Sequence, residues 1–265
     1  MNHLLREHAP ITAAAWQMLD DEARDRLKPA LAARRLVDFE GPRGWDHSAR
    51  NLGRTTALDA PFDGVSGRQR RVLPAVELRA EFQLSRDELD DVDRGADDVD
   101  LGPLDTAARQ LATAENVAVL HGLSDAITGI GEAAPGDPLP LGDLADGYPR
   151  AVAGAVERLL LAGVAGPYGL ALGSEEYRRV IETTEHGGYL LLEHLRRIVE
   201  GPIVWTPGLR GAVVLSQRGG DFVLGSGQDI SIGYLRHDAD TVTLYLEESF
   251  TFHVATPEAA VLLTS

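Results

Sequence analysis

The 265-residue sequence predicts an α+β fold, and three observations carry that reading. A helical run opened by Gly102-Pro103 places Leu104, Ala108, Leu111, Ala112, Glu115 and Val119 at roughly helical spacing as far as Gly122. The C-terminal third is strand-like: Val213-Val214-Leu215, Ile230-Ser231-Ile232, then Val242, Leu244, Leu246, Phe250, Phe252 and Val254 in alternation. Between Trp45 and about Arg71 the chain is polar, glycine-containing and weakly periodic. That pattern describes an extended arm or long hairpin with little core of its own.

The remaining elements follow in order. Thr12 is a helix N-cap, and Trp16, Leu19, Ala23 and Leu27 fall on one helical face until Pro29 ends or kinks the helix. Leu36-Val37-Asp38-Phe39 reads as a short strand and Gly41-Pro42-Arg43-Gly44 as a turn, while 72–84 suits another strand before an acidic stretch. Glycine and proline between Gly129 and Pro149 mark a boundary or a long surface connection. Beyond it a helix (151–162, ended by Gly163), a strand (168–172), a helix capped by Ser174 and a helical run (190–199) form a mixed helix-and-strand unit. There is no internal repeat and no low-complexity tract.

Composition narrows the function. With 44% apolar residues the chain can bury a sizeable core, and no stretch reaches the roughly 18 consecutive apolar residues of a membrane span. The start, Met1-Asn2-His3-Leu4-Leu5-Arg6-Glu7-His8, has no apolar signal core, so a cytoplasmic address is expected. Absence of cysteine rules out disulfides, thiolate metal sites and a cysteine nucleophile. A formal charge of −16, from 41 acidic and 25 basic residues, opposes nucleic acid and anionic membranes; the basic clusters Arg34-Arg35 and Arg68-Gln69-Arg70-Arg71 are short.

Catalytic templates find no match. A phosphate-cradling G-x-x-x-x-G-K-[ST] loop, an H-E-x-x-H pair and a G-x-S-x-G elbow are all missing. Gly129-Ile130-Gly131-Glu132-Ala133-Ala134 fits the loose dinucleotide fingerprint, but it follows a helix rather than a strand and reads as a loop. Asp91-x-Asp93 begins like a calcium loop, yet Gly102 stands where the bidentate glutamate belongs, so the stretch reads as a solvated acidic helix end and turn. Glu185-His186 and Glu193-His194 lie too far apart for one metal ion. His237-Asp238-Ala239-Asp240 is a hairpin turn. No catalytic site, metal site or cofactor is expected.

Six segments, in order, resemble encapsulin shell proteins of the linocin or culture-filtrate type: Ala9-Pro10-Ile11-Thr12 with Trp16; 34–42 (Arg-Arg-Leu-Val-Asp-Phe-Glu-Gly-Pro); 88–95; 162–168; 218–222; and 227–234. The resemblance implies an HK97 phage capsid-like fold with a peripheral domain, an extended loop and an axial domain. Laid on this chain it gives an N-terminal helix and start of the peripheral domain at 1–44, an extended loop at 45–72 and the peripheral domain with its spine helix at 73–128. The axial domain then takes 129–224, and C-terminal strands return to the core at 225–265. It implies a self-assembling, non-catalytic shell of about sixty copies, the number closed icosahedral symmetry gives when all positions are equivalent. The cargo it implies is a dye-decolourising peroxidase or a ferritin-like protein, held through a C-terminal targeting peptide.

By the same resemblance, the peptide docks between the N-terminal helix and the peripheral domain. Leu31, Arg34, Asp38, Asp229, Ile230 and Ile232 are the candidate contacts, Arg34 and Asp38 to pair with the peptide's charges and apolar neighbours such as Leu31 and Ile232 to take its side chains. Glu182, Thr183, Thr184, Glu185, His186, Gly187, Gly188 and Tyr189 align with a five-fold pore loop. Asp87 stands where some relatives carry a flavin-stacking aromatic, so no flavin is expected. Rival readings are a phage major capsid protein, which shares the fold, and a secreted bacteriocin or protease.

Overall fold

Thr12 opens the first helix as expected: its hydroxyl accepts from the backbone N–H of Ala15, and α1 runs over Ala13–Ala30 with Trp16, Leu19, Ala23 and Leu27 buried. The computed structural model describes residues 3–59, 62–142, 144–184 and 188–264. Pro29 sits one residue before the helix end. The strand expected at 36–39 is displaced: a 3-10 turn occupies Ala33–Arg35, Leu36 is buried beneath it, and strand β1 covers Asp38–Glu40.

The weakly periodic arm is a hairpin, β2 (Ala49–Leu58) with β3 (Gly67–Pro74), both strands largely exposed. After Ala75 comes β4 (Val76–Ser85), then the acidic helix α2 (Arg86–Arg94), then the long helix α3 (Gly102–Leu120). The glycine- and proline-rich stretch is more structured than its composition suggests. It holds the four-residue helix α4 (Ile130–Ala133), the two-residue strand β5 (Leu139–Pro140) and the start of α5 (Leu144–Leu161), with Ile130, Leu141 and Tyr148 buried. The dinucleotide-like segment is thus a helical turn, closed by Glu132 accepting from the N–H of Gly129 at 3.1 Å. Pro149 lies inside α5, where it forgoes one backbone bond near the helix start.

The rest alternates helix and strand: β6 (Tyr168–Leu172), α6 (Ser174–Glu182), α7 (Leu191–Val199), β7 (Glu200–Trp205), β8 (Ala212–Ser216), β9 (Phe222–Ser226), β10 (Ser231–His237), β11 (Thr241–Val254) and β12 (Ala260–Thr264). Ser174 is not the cap of α6. Gly173 holds that position, where an added Cβ would stand 2.5 Å from the Leu209 carbonyl oxygen, and the Ser174 hydroxyl instead accepts from the Trp205 indole N–H at 3.0 Å. The β10–β11 turn is as expected, with Asp238 Oδ1 accepting from the backbone of Asp240 and Thr241.

Two five-stranded sheets organise the chain. One runs β1-β9-β11-β10 with β4 also on β11, and the other β5-β12-β8-β6-β7. One core lies between α1, α3 and the β4/β10/β11 region, around Leu19, Leu104, Leu111 and Leu244. The second gathers α5, α6 and α7 on the other sheet with the end of α3 and of β11, including Val119, Phe250 and Phe252. Helix α3 and strand β11 therefore belong to both cores. The alternation in β11 suggested one buried face, yet residues 242–252 are buried throughout. Tyr245 and Glu247, on the second face, lie under Arg79, whose guanidinium sits 4.0 Å over the Tyr245 ring and donates from Nε to Glu247 at 2.8 Å. Gly233, opposite Tyr245 in register, leaves the ring room, since a Cβ there would fall 2.2 Å from it.

Candidate functional site

A groove of about 450 Å³ opens beside α1. Ala23, Leu27 and Leu31 of α1 and its end form one wall; Ile230, Ser231, Ile232 and Leu246 form the other; Arg34 and Asp229 complete the lining. The N-terminal segment straps one end of it. The Leu4 carbonyl accepts from the Tyr234 N–H of β10 at 2.9 Å, and Arg6 binds Asp20 of α1 through two bonds of 3.1 and 2.8 Å while stacking on Trp16. Arg6, Arg24 and Lys28 rim the groove with positive charge, offset by Asp20 and Asp229.

Of the six residues expected to meet a peptide, the structure brings Leu31, Arg34, Asp229, Ile230 and Ile232 to this groove and separates Asp38. Asp38 starts β1 and accepts from the backbone N–H of Gly220, so it secures the turn after β8. The four-residue spacing of Arg34 and Asp38 is not helical, because the 3-10 turn ends at Arg35.

Arg34 is committed to the protein itself. Its Nε donates to Glu115 Oε2 at 2.7 Å, Nη1 to Asp229 Oδ1 at 2.6 Å and Nη2 to Glu248 Oε2 at 2.9 Å. Glu115 and Glu248 are 0% and 1% exposed and sit where the two cores meet, Glu115 between Leu111 and Val119 on α3 and Glu248 between Leu246 and Phe250 on β11. Burial alone would lower the arginine's proton affinity, but the three carboxyl groups outweigh it and hold the guanidinium firmly charged. Burial, followed by the charge of Glu115, pushes the Glu248 carboxyl well above the ordinary carboxylate range, against the pull of Arg34.

With the folded-state pKa raised, the favourable contribution of Glu248 is complete below about pH 4.3, its unfolded value, and is lost as pH rises through the folded value. Glu248→Gln, which keeps the shape without the titration, is expected to melt near wild type at pH 5 and above it at pH 8. Melting curves at the two pH values check this, and an equal offset at both would contradict it.

Glu115 and Glu248 were not among the expected site residues, although each carries a signal: an acid on the apolar face of a helix and an acid in the apolar register of a strand. Asn116 was missed in the same way. Fully buried, it accepts from Ala33 N–H and donates to the Ala30 and Pro207 carbonyls, which ties the end of α1 to α3.

The expected pore loop lies between α6 and α7. Glu185, His186 and Gly187 fall outside the described residues. At its base Thr183 Oγ1 donates to the Arg179 carbonyl at 2.7 Å, and Thr184 bridges Leu190 in antiparallel fashion. Glu182, Thr184, Gly188 and Tyr189 are exposed, with Arg197 over the Tyr189 ring.

Among relatives, a type 1 encapsulin shell protein from Rhodospirillum rubrum is 51% identical over 99% of this chain and 96% of its own length. Among solved structures, the virus-like particle of Pyrococcus furiosus superposes with a TM-score of 0.66 at 19% identity, covering 94% of this chain and 98% of that one. The capsid of Myoviridae phage XM1 gives 0.54 at 12% identity, over 88% and 90%. These two similarities carry the fold, which is the HK97 phage capsid-like one. A family profile described as encapsulating protein for peroxidase matches residues 1–251, and on this match and the full-length identity the chain belongs to that family.

Proposed function

We propose that this chain is the repeating subunit of a closed, non-catalytic protein shell, of about sixty copies if every position is equivalent, that retains a cargo enzyme through a peptide seated in the α1 groove. The observation that carries the shell reading is the β2–β3 hairpin. Its strands are ten and eight residues long, most of their residues are exposed and none is buried, and an isolated two-stranded sheet is marginal in water until something covers it. A neighbouring subunit supplies that cover in a shell. The phage capsid reading shares the fold, but phage XM1 is 12% identical where the shell-protein relative is 51%.

In this reading the sheet with β11 and α1–α3 is the peripheral domain, the other sheet with α5–α7 the axial domain, and the α6–α7 loop lines the five-fold pore. The cargo is a peroxidase or a ferritin-like protein, and the address is the cytoplasm, which cell fractionation checks. Negative-stain microscopy with size-exclusion chromatography tests the shell directly: uniform closed particles support it, and monomers or small oligomers remove it.

The groove has its own test. Ile230→Glu puts a charge into the apolar wall facing Leu31 and is expected to reduce cargo loading on the order of tenfold or more while particles stay intact. Unchanged loading in intact particles would remove the peptide from this groove.

A further inference from the structure

The hairpin that needs a cover also carries an unusual charge. Register sets Arg54 opposite Arg71, Thr55 opposite Arg70 and Ala57 opposite Arg68. Residues directly opposite share a face, so Arg54 and Arg71 stand together on one face and Arg68 and Arg70 on the other. Two like charges side by side are unfavourable in a free hairpin. All four are exposed, and among the described residues none makes an ion pair or side-chain hydrogen bond; the neighbouring Arg43 and Arg50, at the base, bind Glu40.

The complement lies at the other end of β4. Residues 87–100 hold eight carboxylates against one arginine, Arg94. Within the chain Asp91 binds Arg94, Asp93 accepts from Thr12, and Glu88 and Asp100 accept from backbone N–H groups. Asp87, Asp90, Asp97 and Asp98 are exposed and make no hydrogen bond or ion pair among the described residues. The hairpin joins β4 before Val76 and the acidic segment begins after Ser85, so the ten-residue strand holds the two surfaces roughly 30 Å apart. One chain does not bring them together. Two chains can, and a contact made by different surfaces of the two copies repeats head to tail and closes into rings or a shell when its rotation closes.

We propose that the arginine hairpin of one copy docks on the acidic segment around Asp87, Asp90, Asp97 and Asp98 of the next, which makes this contact the salt-sensitive step of assembly. This rests on the shell reading and adds to it the address of the arm. The test reverses the charges. Arg54→Glu, Arg68→Glu, Arg70→Glu and Arg71→Glu together, or Asp87→Arg, Asp90→Arg, Asp97→Arg and Asp98→Arg together, are expected to raise the subunit concentration needed for closed particles by on the order of tenfold or more at low salt. Both sets in one chain are expected to restore assembly.

Light scattering and negative-stain microscopy give the readout, with circular dichroism confirming the subunit fold. Should either reversed chain misfold, the four arginines changed to glutamine are expected to give particles whose stability no longer falls with added salt. Reversed chains that assemble like wild type, folded chains that the double reversal does not rescue, or an unaltered salt dependence in the glutamine chain would each overturn the docking while leaving the shell standing. Nucleic acid held by the wild-type arginines, with assembly indifferent to the reversals, would also overturn it. A wild-type chain that forms no particles would instead remove the shell reading beneath it.

Discussion

Arg34→Ala is expected to cost about 3–5 kcal/mol of subunit stability, because it strips the one cation from a buried carboxyl cluster. Glu115 and Glu248 are almost without solvent, and burial with the charge of Glu115 already pushes the Glu248 carboxyl well above the ordinary range. Arg34→Lys keeps the charge but not a planar fork that reaches Glu115, Asp229 and Glu248 at once, and an intermediate loss is expected. Adding Glu115→Gln to Arg34→Ala removes the stranded charge and should recover part of the stability. Denaturant unfolding at pH 7 measures all three. An Arg34→Ala protein within about 1 kcal/mol of wild type would mean the cluster is hydrated and worth no more than a surface pair.

Phe250→Ala is expected to cost a similar amount, about 3–5 kcal/mol, for a large aromatic side chain deleted from a packed site. Phe250 is 1% exposed and pairs with Val76 of β4 on one side and Ser226 of β9 on the other. The loss should therefore reach both arms of the sheet. Hydrogen exchange on the intact protein is expected to quicken in β4 and β9 together. Faster exchange in one of them alone would show that β11 does not couple the two.

Much of this architecture was legible in the residues, and the reasons differ by element. α1 and α3 followed from apolar spacing with Thr12 and Gly102-Pro103 as start signals, and β6 matched at both ends because its five buried residues are bounded by proline and glycine. The stretch around Gly129–Pro149 was read too loosely. Its glycines serve close backbone approaches rather than slack, as at Gly129, where a Cβ would meet the Gly122 nitrogen at 2.2 Å. Strands β7, β9 and β12 were missed, being short and fixed by partners distant in sequence.

At the groove, the resemblance located five residues, but only the structure separates those that face its opening from Arg34, whose donors are already taken. Local spacing shows that Glu115 and Glu248 each interrupt an apolar pattern. It does not show that the two interruptions meet.

Strand β11 also bears on when this protein becomes itself. Residues 241–250 are the partners that β4, at 76–85, must wait for, and β9 and β10 attach to the same strand. Synthesis from the N-terminus makes β4 long before β11, so β4 leaves the ribosome without its partner and the long-range pairing waits for residues 241–250. The far wall of the groove, at 230–232 with Leu246, also comes long after α1, which forms the near one. A chain stopped before residue 229 therefore lacks one whole side of the groove, and the groove is completed only as this sheet closes.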